Sequence, residues 1–448
     1  MLTVQKTFVN KMVCILLNKM IVLISKKNIT YGGTQMKKII SVLLLTGLVF
    51  VTLSGCDNTT SAVVVTPDIT NPVLPTEPVE TEPVVVEPEI EPVTITLTAI
   101  GDMLMHQGVS VPGLQKDGTY IYDYLFEHVK EKIVAADVAI VNEEVMFGGD
   151  HLGNLGYPCF NVNSALGTGL VDAGFDVVLF ATNHTRDQHI SGIQNTLNFW
   201  KLKHPDTTIL GIHEDEASYN SITVLDIKGI KVAMLNYTYN LNGFKLGEGE
   251  KHYVDLMDEE HKDKIKSDLK RAEQMSDIVV VFPHWGTEYV LEETAEEQAW
   301  AQFFCENGAD LIIGTHPHVI QPVKWVESSN GNKALVYYSL GNFVSCQPRN
   351  YTMLGGMAQV SITKDKTGTY VSAYDMDFLF THYNVSRSHV TTYFLDDYTD
   401  ELMKEHALVL TPTESLNWIN KSYPMTVKDM KKLAERVCPE LADYEDIE

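Results

Sequence analysis

Basic residues are scarce in this chain. Lysine and arginine together number 34 against 59 aspartates and glutamates, which gives a formal net charge of −25 at pH 7. A protein that binds the phosphate backbone of nucleic acid needs clustered positive charge, so this balance argues against a nucleic acid partner. With 448 residues and 44% hydrophobic content, the chain is long and apolar enough for one large α/β domain or two ordinary ones.

The sequence also lacks the short motifs of several common enzyme classes. There is no P-loop, no GxSxG nucleophile turn, no GxGxxG dinucleotide fingerprint and no internal repeat. Beyond Cys56, the cysteines are scattered at positions 159, 305, 346 and 438, without the spacing of a disulfide framework or a CxxC metal site. In an exported chain these four cysteines could form up to two disulfide bridges.

The segment 36–56 predicts export. Two lysines precede a short apolar run and the ending LSGC, which is the layout of an export signal. This ending resembles the lipobox of bacterial lipoproteins and implies cleavage before Cys56 with lipid on its sulfur. The alternative is a plain transmembrane anchor, for which the apolar run 39–53 is short. Either interpretation places the rest of the chain outside the cytoplasm, and the first anchors it by lipid to the bacterial cell membrane.

The segments on either side of this signal have separate interpretations. Residues 1–35 precede a complete signal, and we interpret them as an extension that results from a mis-called start codon. Residues 57–92 mix proline with acidic and β-branched residues and contain no glycine. That composition cannot close a packed core, so it predicts a disordered, extended stalk.

After Pro92 the pattern changes to alternating strands and helices. Buried strands are predicted within TLTAIGD, ADVAIVNEE, DVVLFATNH, KVAMLNYTY, DIVVVFPHWG, DLIIGTHPH and ALVYYSLGNF. Helical patterns lie at 122–135, 164–173, 190–203, 258–275 and 293–307. This alternation indicates a mostly parallel sheet covered by helices. GGMAQVSITKD and TYVSAYDMDFLF are typical of antiparallel strands and predict completion of a second sheet. The domain would span 93–390, with 391–448 as a C-terminal helical accessory segment.

Polar side chains follow five of the predicted strands. They are Asp102, Glu143, Glu144, Asn183, His184, His284, His316 and His318. Ligands of open α/β sheets bind at the carboxyl ends of the strands, and this mixture of carboxylates, amide and imidazoles is typical of a divalent-metal site. Imidazole suits zinc, iron or manganese, and the donors suffice for one or two ions that would clamp a phosphoryl group.

Taken singly, these residues have simpler interpretations. Asp102 could cap a helix, one of Glu143 and Glu144 could be a solvated loop charge, and His184 or His284 could be a core histidine. In the HPH segment, a residue before proline is held extended, so we expect the rings of His316 and His318 to point to one side.

His184 is the predicted general acid near the leaving oxygen. The neighbouring Arg186 and Asp187 either pair to orient His184 or cap the next helix.

Six motifs in a fixed order carry a family resemblance. GDMLMH, NEE, ATNHTRD, HWGTEY, GADLIIGTHPHVIQP and YSLGNF occur in this order over about 250 residues of the chain. They resemble the CapA-type capsule and poly-γ-glutamate synthesis proteins of the calcineurin-like metallophosphoesterase superfamily. The resemblance implies a four-layer α/β/β/α sandwich with its site at the strand ends. It also implies a role in making or anchoring an anionic surface polymer.

The resemblance also assigns roles to residues. It implies metal ligands at Asp102, Glu144, Asn183, His284, His316 and His318, beside His184. The first motif offers methionines where the wider superfamily has a histidine ligand, so that nitrogen would have to come from His106.

Three functions compete at this point. The first is a metal-dependent hydrolase that cuts a phosphoester or a bond in a surface polymer. The second is a non-catalytic metal- or polymer-binding subunit that works with polymer synthase subunits. The third, a purely structural lipoprotein, leaves the convergent histidines and carboxylates unexplained.

Overall fold

The computed structural model describes residues 91–410 and 425–442. The predicted extension, the export signal with Cys56 and the stalk up to residue 90 lie outside the described residues. Every described residue belongs to one compact unit within Val86–Glu448. Within the described ranges, no helix combines the length and the hydropathy needed to cross a membrane.

Fourteen strands run through the described ranges. They are β1 (Val93–Met103), β2 (Val138–Glu143), β3 (Val177–Leu179), β4 (Thr208–Leu210), β5 (Thr223–Ile227), β6 (Ile230–Thr238), β7 (Ile278–His284), β8 (Leu311–Ile313), β9 (Val323–Glu327), β10 (Lys333–Tyr337), β11 (Asn342–Val344), β12 (Leu354–Asp365), β13 (Gly368–Tyr383) and β14 (Val390–Phe394).

The strands form two sheets. The first has the order β14-β13-β12-β1-β2-β3-β4, with β11 paired to β1, and the second has the order β5-β6-β7-β8-β10-β9. Strands β1 to β4 are parallel, as are β6, β7, β8 and β10, whereas β12 to β14, β5 and β9 are antiparallel to their neighbours. The first sheet therefore has parallel strands on one side and antiparallel strands on the other, whereas the second has a parallel centre with an antiparallel strand at each edge.

Helices connect the parallel strands. Those of the described ranges are α1 (Gln107–Ser110), α2 (Lys130–Ala135), α3 (Ala165–Ala173), α4 (His189–Lys203), α5 (Glu216–Tyr219), α6 (Lys262–Met275), α7 (Ala295–Glu306), α8 (Asp400–Glu405), α9 (Ala407–Leu410) and α10 (Val427–Val437). Helix α7 begins with a capping box, in which Thr294 accepts from the backbone N–H of Glu297 and Glu297 accepts from that of Thr294.

Two hydrophobic cores define the layers. Because successive residues of a strand point to opposite faces, β6 and β7 contribute to both cores. Val232, Met234, Val280 and Phe282 pack with the first sheet. Their neighbours Ala233, Leu235, Val279 and Val281 pack with α6 and α7. Side chains of α2, α3 and α4 join the core of the first sheet. The order of layers is helix, sheet, sheet, helix, which confirms the α/β/β/α sandwich expected from the motifs.

Three sequence predictions about secondary structure were wrong in detail. The segment 122–135 is a 3₁₀ turn at Asp123–Leu125 followed by α2. The helical spacing of its buried residues had suggested a single helix; they are Tyr122, Leu125, Phe126, Val129 and Ile133. Strands β12 and β13 are antiparallel as expected, but they extend the first sheet beside β1. The short strands β4, β5 and β9 were not predicted, because their partly exposed side chains lack a long apolar run.

The end of the described chain packs on the first sheet. The predicted boundary at residue 390 falls at the start of β14, which pairs with β13. Met403, Met430 and Leu433 from the C-terminal helices are buried in the core of this sheet. The four cysteines at 159, 305, 346 and 438 are all free.

A buried histidine in this region makes stability depend on pH. His406 lies 3.2 Å from the carbonyl oxygen of Thr381 through Nε2, while its Nδ1 accepts from the N–H of Leu408. These contacts fix a neutral ring, and burial lowers the pKa of His406 from 6.5 to about 3. Between these values the unfolded chain binds a proton that the folded chain does not. Stability should therefore fall as pH drops below about 6.5, by about 1.4 kcal/mol per pH unit for this group.

His406→Gln tests this dependence. Glutamine can still donate to Thr381 but does not titrate, so the variant should lose less free energy of unfolding than the wild type between pH 7 and pH 5. Urea unfolding at both values measures the difference. An identical loss in both proteins would contradict the assignment of His406.

Candidate metal centre

The site lies where the carboxyl ends of strands from both sheets meet. Asp102 is the last residue but one of β1 in the first sheet, and Glu144 directly follows β2. His284 is the last residue of β7 in the second sheet, and Thr315, one residue before His316, forms a parallel bridge with it. The parallel strands of the two sheets therefore direct the polar residues at their carboxyl ends toward a single position.

A close approach of two glycines fixes Asp102. A Cβ at Gly101 would lie 1.9 Å from the carbonyl oxygen of Gly341, which has a φ of +64°. The same carbonyl accepts from the N–H of Asp102 at 2.9 Å. Glycine is needed at 101 because a Cβ would collide with this carbonyl, and at 341 because of the left-handed φ and because a Cβ would lie 2.9 Å from the backbone of Val319 and Ile320.

Two overlapping groups of side chains have the spacing of metal ligands. One consists of Asp102, Glu144 and His318, and the other of Glu144, His284 and His316; within each, the ligand atoms lie within 4.8 Å of one another. All these residues are at most 2% exposed. Because Glu144 belongs to both groups, the arrangement suits two ions that share one carboxylate, or a single ion bound between them.

The Glu144 carboxylate shows that these residues fit a cation. Both of its oxygens are buried without a hydrogen-bond partner. The Nε2 atoms of His284 and His318 lie 3.7 Å and 3.8 Å from Oε1, too far for a hydrogen bond. Zinc ligands bind at about 2.0 to 2.2 Å, which places two ligand atoms of one ion about 3 to 4 Å apart. A buried, unpartnered carboxylate is costly, and a cation would remove that cost.

Each imidazole is oriented by a second contact. His284 Nδ1 lies 3.0 Å from the Thr315 hydroxyl. His316 Nε2 lies 2.9 Å from the Tyr239 hydroxyl, while its Nδ1 is buried without a partner. His318 Nδ1 lies 3.0 Å from both an Asp102 and an Asn342 oxygen. Such contacts fix the ring orientation of metal-ligating histidines.

The HPH segment is not extended, so that expectation was wrong. His316 and His318 have φ values of +100° and +58°, in the left-handed region that non-glycine residues rarely adopt. Asp102 accepts from the N–H of His316 at 3.3 Å, and this contact holds the turn. The two rings still come together, with centroids 5.9 Å apart. Their arrangement comes from a strained turn, which is common at functional sites.

Burial sets the protonation of the site. It lowers the pKa of His284 and His316 well below the usual value, which keeps both rings in the neutral form that binds metals. Burial likewise raises the pKa of Glu143 and Glu144 well above the usual range. For His318, burial acts to lower the pKa, but Glu144 and Asp102 outweigh it and raise the pKa to about 9. The carboxylates thus stabilise positive charge between them.

His184 and Asp187 lie at the edge of this cluster. His184 Nδ1 is 2.7 Å from Asp187 Oδ2, and the ring packs edge-on against Phe160. Asp187 also accepts from the backbone N–H of Phe160, whereas Arg186 pairs with Glu250. His184, Asp187 and Asn183 line a cleft of about 470 Å³. Of the two interpretations of this segment, the structure has Asp187 orienting His184, without a pairing to Arg186.

Asn183 lies with the predicted ligands, whereas His106 and Glu143 lie outside both groups. Asn183 Oδ1 lies 2.8 Å from His284 Nε2, beside both groups. His106 belongs to neither group: it packs against Phe160, and burial lowers its pKa to about 4. The position two places after Asp102, where methionine was expected to replace the histidine ligand, is occupied by the buried Leu104. Glu143 also lies outside both groups, yet it is fully buried, so neither Glu143 nor Glu144 is a solvated loop charge.

Three site residues were not predicted as such. Tyr239 contacts His316, Asn242 Nδ2 lies within 3.5 Å of both ring nitrogens of His184 while its Oδ1 accepts from Asn183, and Asn342 contacts His318. Tyr239 and Asn242 follow β6, so the rule of polar residues after strands could have found them. Asn342 begins β11, and only its pairing with β1 brings it to the site.

The chain is similar to proteins of capsule synthesis. A family model described as "Bacterial capsule synthesis protein PGA_cap" matches residues 96–347. The capsule biosynthesis protein CapA of Bacillus anthracis is 26% identical over 281 residues, which are 61% of this chain and 65% of that protein. The PGA biosynthesis protein CapA of Bacillus subtilis (strain 168) is 30% identical over 201 residues, 45% of this chain and 50% of that protein. The matches thus span about half to two thirds of these relatives.

Solved structures with a similar arrangement share little sequence. A putative 5'-nucleotidase from Staphylococcus aureus is 15% identical with a TM-score of 0.40, over 63% of this chain and 54% of that one. The calcineurin-like phosphoesterase YfkN from Bacillus subtilis is 11% identical with a TM-score of 0.37, over 64% of this chain and 91% of that one.

Proposed function

The chain belongs to the bacterial capsule synthesis protein PGA_cap family, and from this premise we propose that it is a metal-dependent hydrolase of capsule synthesis. Its substrate is an anionic surface polymer such as poly-γ-glutamate, or a phosphoester. One observation carries the proposal: the unpartnered, buried Glu144 carboxylate faces two imidazoles beside a cleft that contains an oriented histidine.

The residues divide into ion-binding and proton-transfer groups. Asp102, Glu144, His284, His316 and His318 would hold one or two divalent ions, with manganese, iron or zinc suited to this donor set. When bound, such an ion polarises a phosphoryl or carbonyl oxygen as a Lewis acid. Asp187 holds Nδ1 of His184, so Nε2 is the atom that exchanges a proton with the leaving group. Asn242 fixes the Asn183 amide beside His284.

A non-catalytic role is the second candidate. The first motif provides one carboxylate and no nitrogen ligand, because Leu104 is apolar and His106 belongs to neither ligand group. A site that lacks this nitrogen ligand would bind metal or polymer without catalysing hydrolysis, as a subunit of a synthesis and export complex.

An assay of the purified chain distinguishes the two candidates. The panel is poly-γ-glutamate, a p-nitrophenyl phosphomonoester and the corresponding diester, each with added Mn²⁺ or Zn²⁺ and with chelator. Turnover that requires metal supports the hydrolase. Bound metal without turnover on any substrate would favour the binding subunit.

We also propose that the protein is anchored outside the cytoplasm by lipid on Cys56. This proposal rests on the sequence 36–56. Cys56→Ser should release the protein from the membrane fraction of cells, measured by fractionation. A variant that stays in the membrane at the wild-type level would favour the transmembrane anchor.

A further inference from the structure

Two arginines differ from the others of the described chain in having no carboxylate partner. Arg186, Arg271 and Arg436 pair with Glu250, Asp268 and Glu292. Arg349 and Arg387 instead lie over tyrosine rings, with guanidinium carbons 3.4 Å and 3.8 Å from the centroids of Tyr289 and Tyr383. In a chain with a net charge of −25, an arginine without an acidic partner is unexpected. Stacking orients the guanidinium and leaves its N–H groups available to an anion.

One buried residue connects the two stacked pairs, through its side chain on one side and its backbone carbonyl on the other. Gln347 donates to the Tyr289 hydroxyl at 3.3 Å, and its carbonyl oxygen accepts from the Tyr383 hydroxyl at 3.3 Å. Gln347 also accepts from Asn342, whose own oxygen lies 3.0 Å from His318. The two arginines are therefore held by a hydrogen-bonded frame that extends to the ligand cluster.

Both pairs lie beside the candidate metal centre. The Tyr289 ring centroid is 6.0 Å from that of His318. Arg387 lines a cavity of about 530 Å³ together with His106, and its Nη1 is buried without a hydrogen-bond partner. This cavity and the His184 cleft share the residues 157–159. An extended ligand can thus pass from Arg387 to His184 along one surface.

The backbone at these positions is strained. Arg387 and Tyr289 have φ values of +58° and +69°, a region that costs non-glycine residues roughly 1 to 2 kcal/mol. Glycine would remove the strain at either position. The chain instead has Arg387 itself at one of them and, at the other, Tyr289, whose ring lies under Arg349. Strain of this kind is typical of functional sites.

We propose that Arg349 and Arg387 are a carboxylate-binding pair that positions an anionic polymer across the metal centre. The planar guanidinium forms two parallel hydrogen bonds with a carboxylate, and a γ-linked glutamyl chain carries one carboxylate per residue. The exposed Glu288 lines the same cleft and the chain as a whole is acidic, so binding of a polyanion depends on these two local charges. This inference rests on the proposed function, because it names the groups of the same site that bind the polymer.

Binding of fluorescein-labelled poly-γ-glutamate to chelator-treated protein tests the pair without metal or turnover. Fluorescence anisotropy at fixed ionic strength gives the dissociation constant. Each of Arg349→Gln and Arg387→Gln should weaken binding about tenfold, and the double variant about a hundredfold. The charge-matched control is Lys201→Gln with Lys203→Gln at the end of α4, which should bind like the wild type.

Further variants separate a recognition role from a structural or purely electrostatic one. Replacing both arginines by lysine keeps the charge but loses the planar donor pair, so affinity should fall between the wild type and the double glutamine variant. Thermal unfolding of every variant checks the fold. Wild-type affinity in a folded double glutamine variant would overturn the proposal. An equal loss of affinity in the Lys201→Gln with Lys203→Gln control would also overturn it. So would linear polyphosphate of matched charge that competes for binding as well as poly-γ-glutamate does.

Failure of this proposal is distinguishable from failure of the proposed function. A protein that binds the polymer through both arginines but hydrolyses nothing retains the carboxylate-binding pair and loses the hydrolase. A protein with metal-dependent turnover whose affinity ignores both arginines retains the hydrolase and loses the pair.

Discussion

Replacing Glu144 by glutamine should abolish metal binding while stabilising the metal-free protein. The two effects have one cause, because both Glu144 oxygens are buried without a hydrogen-bond partner. Burial raises the pKa of Glu144 well above its usual range, so at pH 7 folding costs the free energy of protonating this group, and glutamine, which is neutral in both states, removes that cost. The same change removes the one ligand common to both groups, so we expect metal affinity to fall by more than a hundredfold. Urea unfolding after chelation and titration with Mn²⁺ or Zn²⁺ measure the two effects.

Glu143→Gln is the matched control for this experiment. Glu143 is as buried as Glu144, has one unpartnered oxygen and likewise has a pKa raised by burial, but it lies outside both ligand groups. Its variant should therefore stabilise the metal-free protein and keep wild-type metal affinity. A Glu144→Gln protein that binds metal like the Glu143→Gln protein would show that Glu144 is an ordinary buried acid.

His184→Gln should lower kcat by about a hundredfold to ten thousandfold without loss of bound metal. That range is typical for the removal of a general acid or base. KM should change little, because His184 touches the leaving group rather than the polymer. Asp187→Asn should cause a smaller fall, since the amide still contacts Nδ1 but no longer holds the proton there. Steady-state kinetics with the best substrate of the panel, together with metal analysis, measures both variants.

A second histidine–aspartate pair provides the control for His184. His213 Nε2 lies 2.6 Å from Asp255 Oδ2, the same kind of contact in a different cavity. His213→Gln should leave kcat unchanged. Equal losses of activity in the His184 and His213 variants would point to a general effect on the fold and would remove the assigned role of His184.

The candidate site could be located from the sequence because it depends on a local rule. Asp102, Glu144, His284 and His318 each follow an apolar run, and the carboxyl ends of parallel strands converge. Not every partner of these residues could be predicted by the same rule. Asn342 reaches His318 only because β11 pairs with β1, a contact between residues distant in sequence.

Conformation and burial were the least predictable features of the site. Proline restricts the residue before it, which suggested an extended HPH segment, yet the hydrogen bond from His316 to Asp102 favours a left-handed turn. Of the neighbours Glu143 and Glu144, one was expected to be a solvated loop charge. Both are buried, because the two sheets and the loop after β2 enclose this strand end from several sides.

The assignment of β12 and β13 shows the same limit at the level of the fold. Their alternating pattern identifies antiparallel strands, but the choice of partner strand depends on packing that is not local. The pairing of β12 with β1 extends the first sheet, and the second sheet is complete without them.

The central claim is that the buried cluster at the strand ends is a metal centre, and metal analysis of the purified chain tests it most directly. Inductively coupled plasma mass spectrometry should find about one or two divalent ions per wild-type chain and none in His316→Ala with His318→Ala. The melting temperature of the wild type alone should rise when manganese or zinc is returned after chelation. A wild-type chain that carries no metal, and whose melting temperature ignores added ions, would contradict the account.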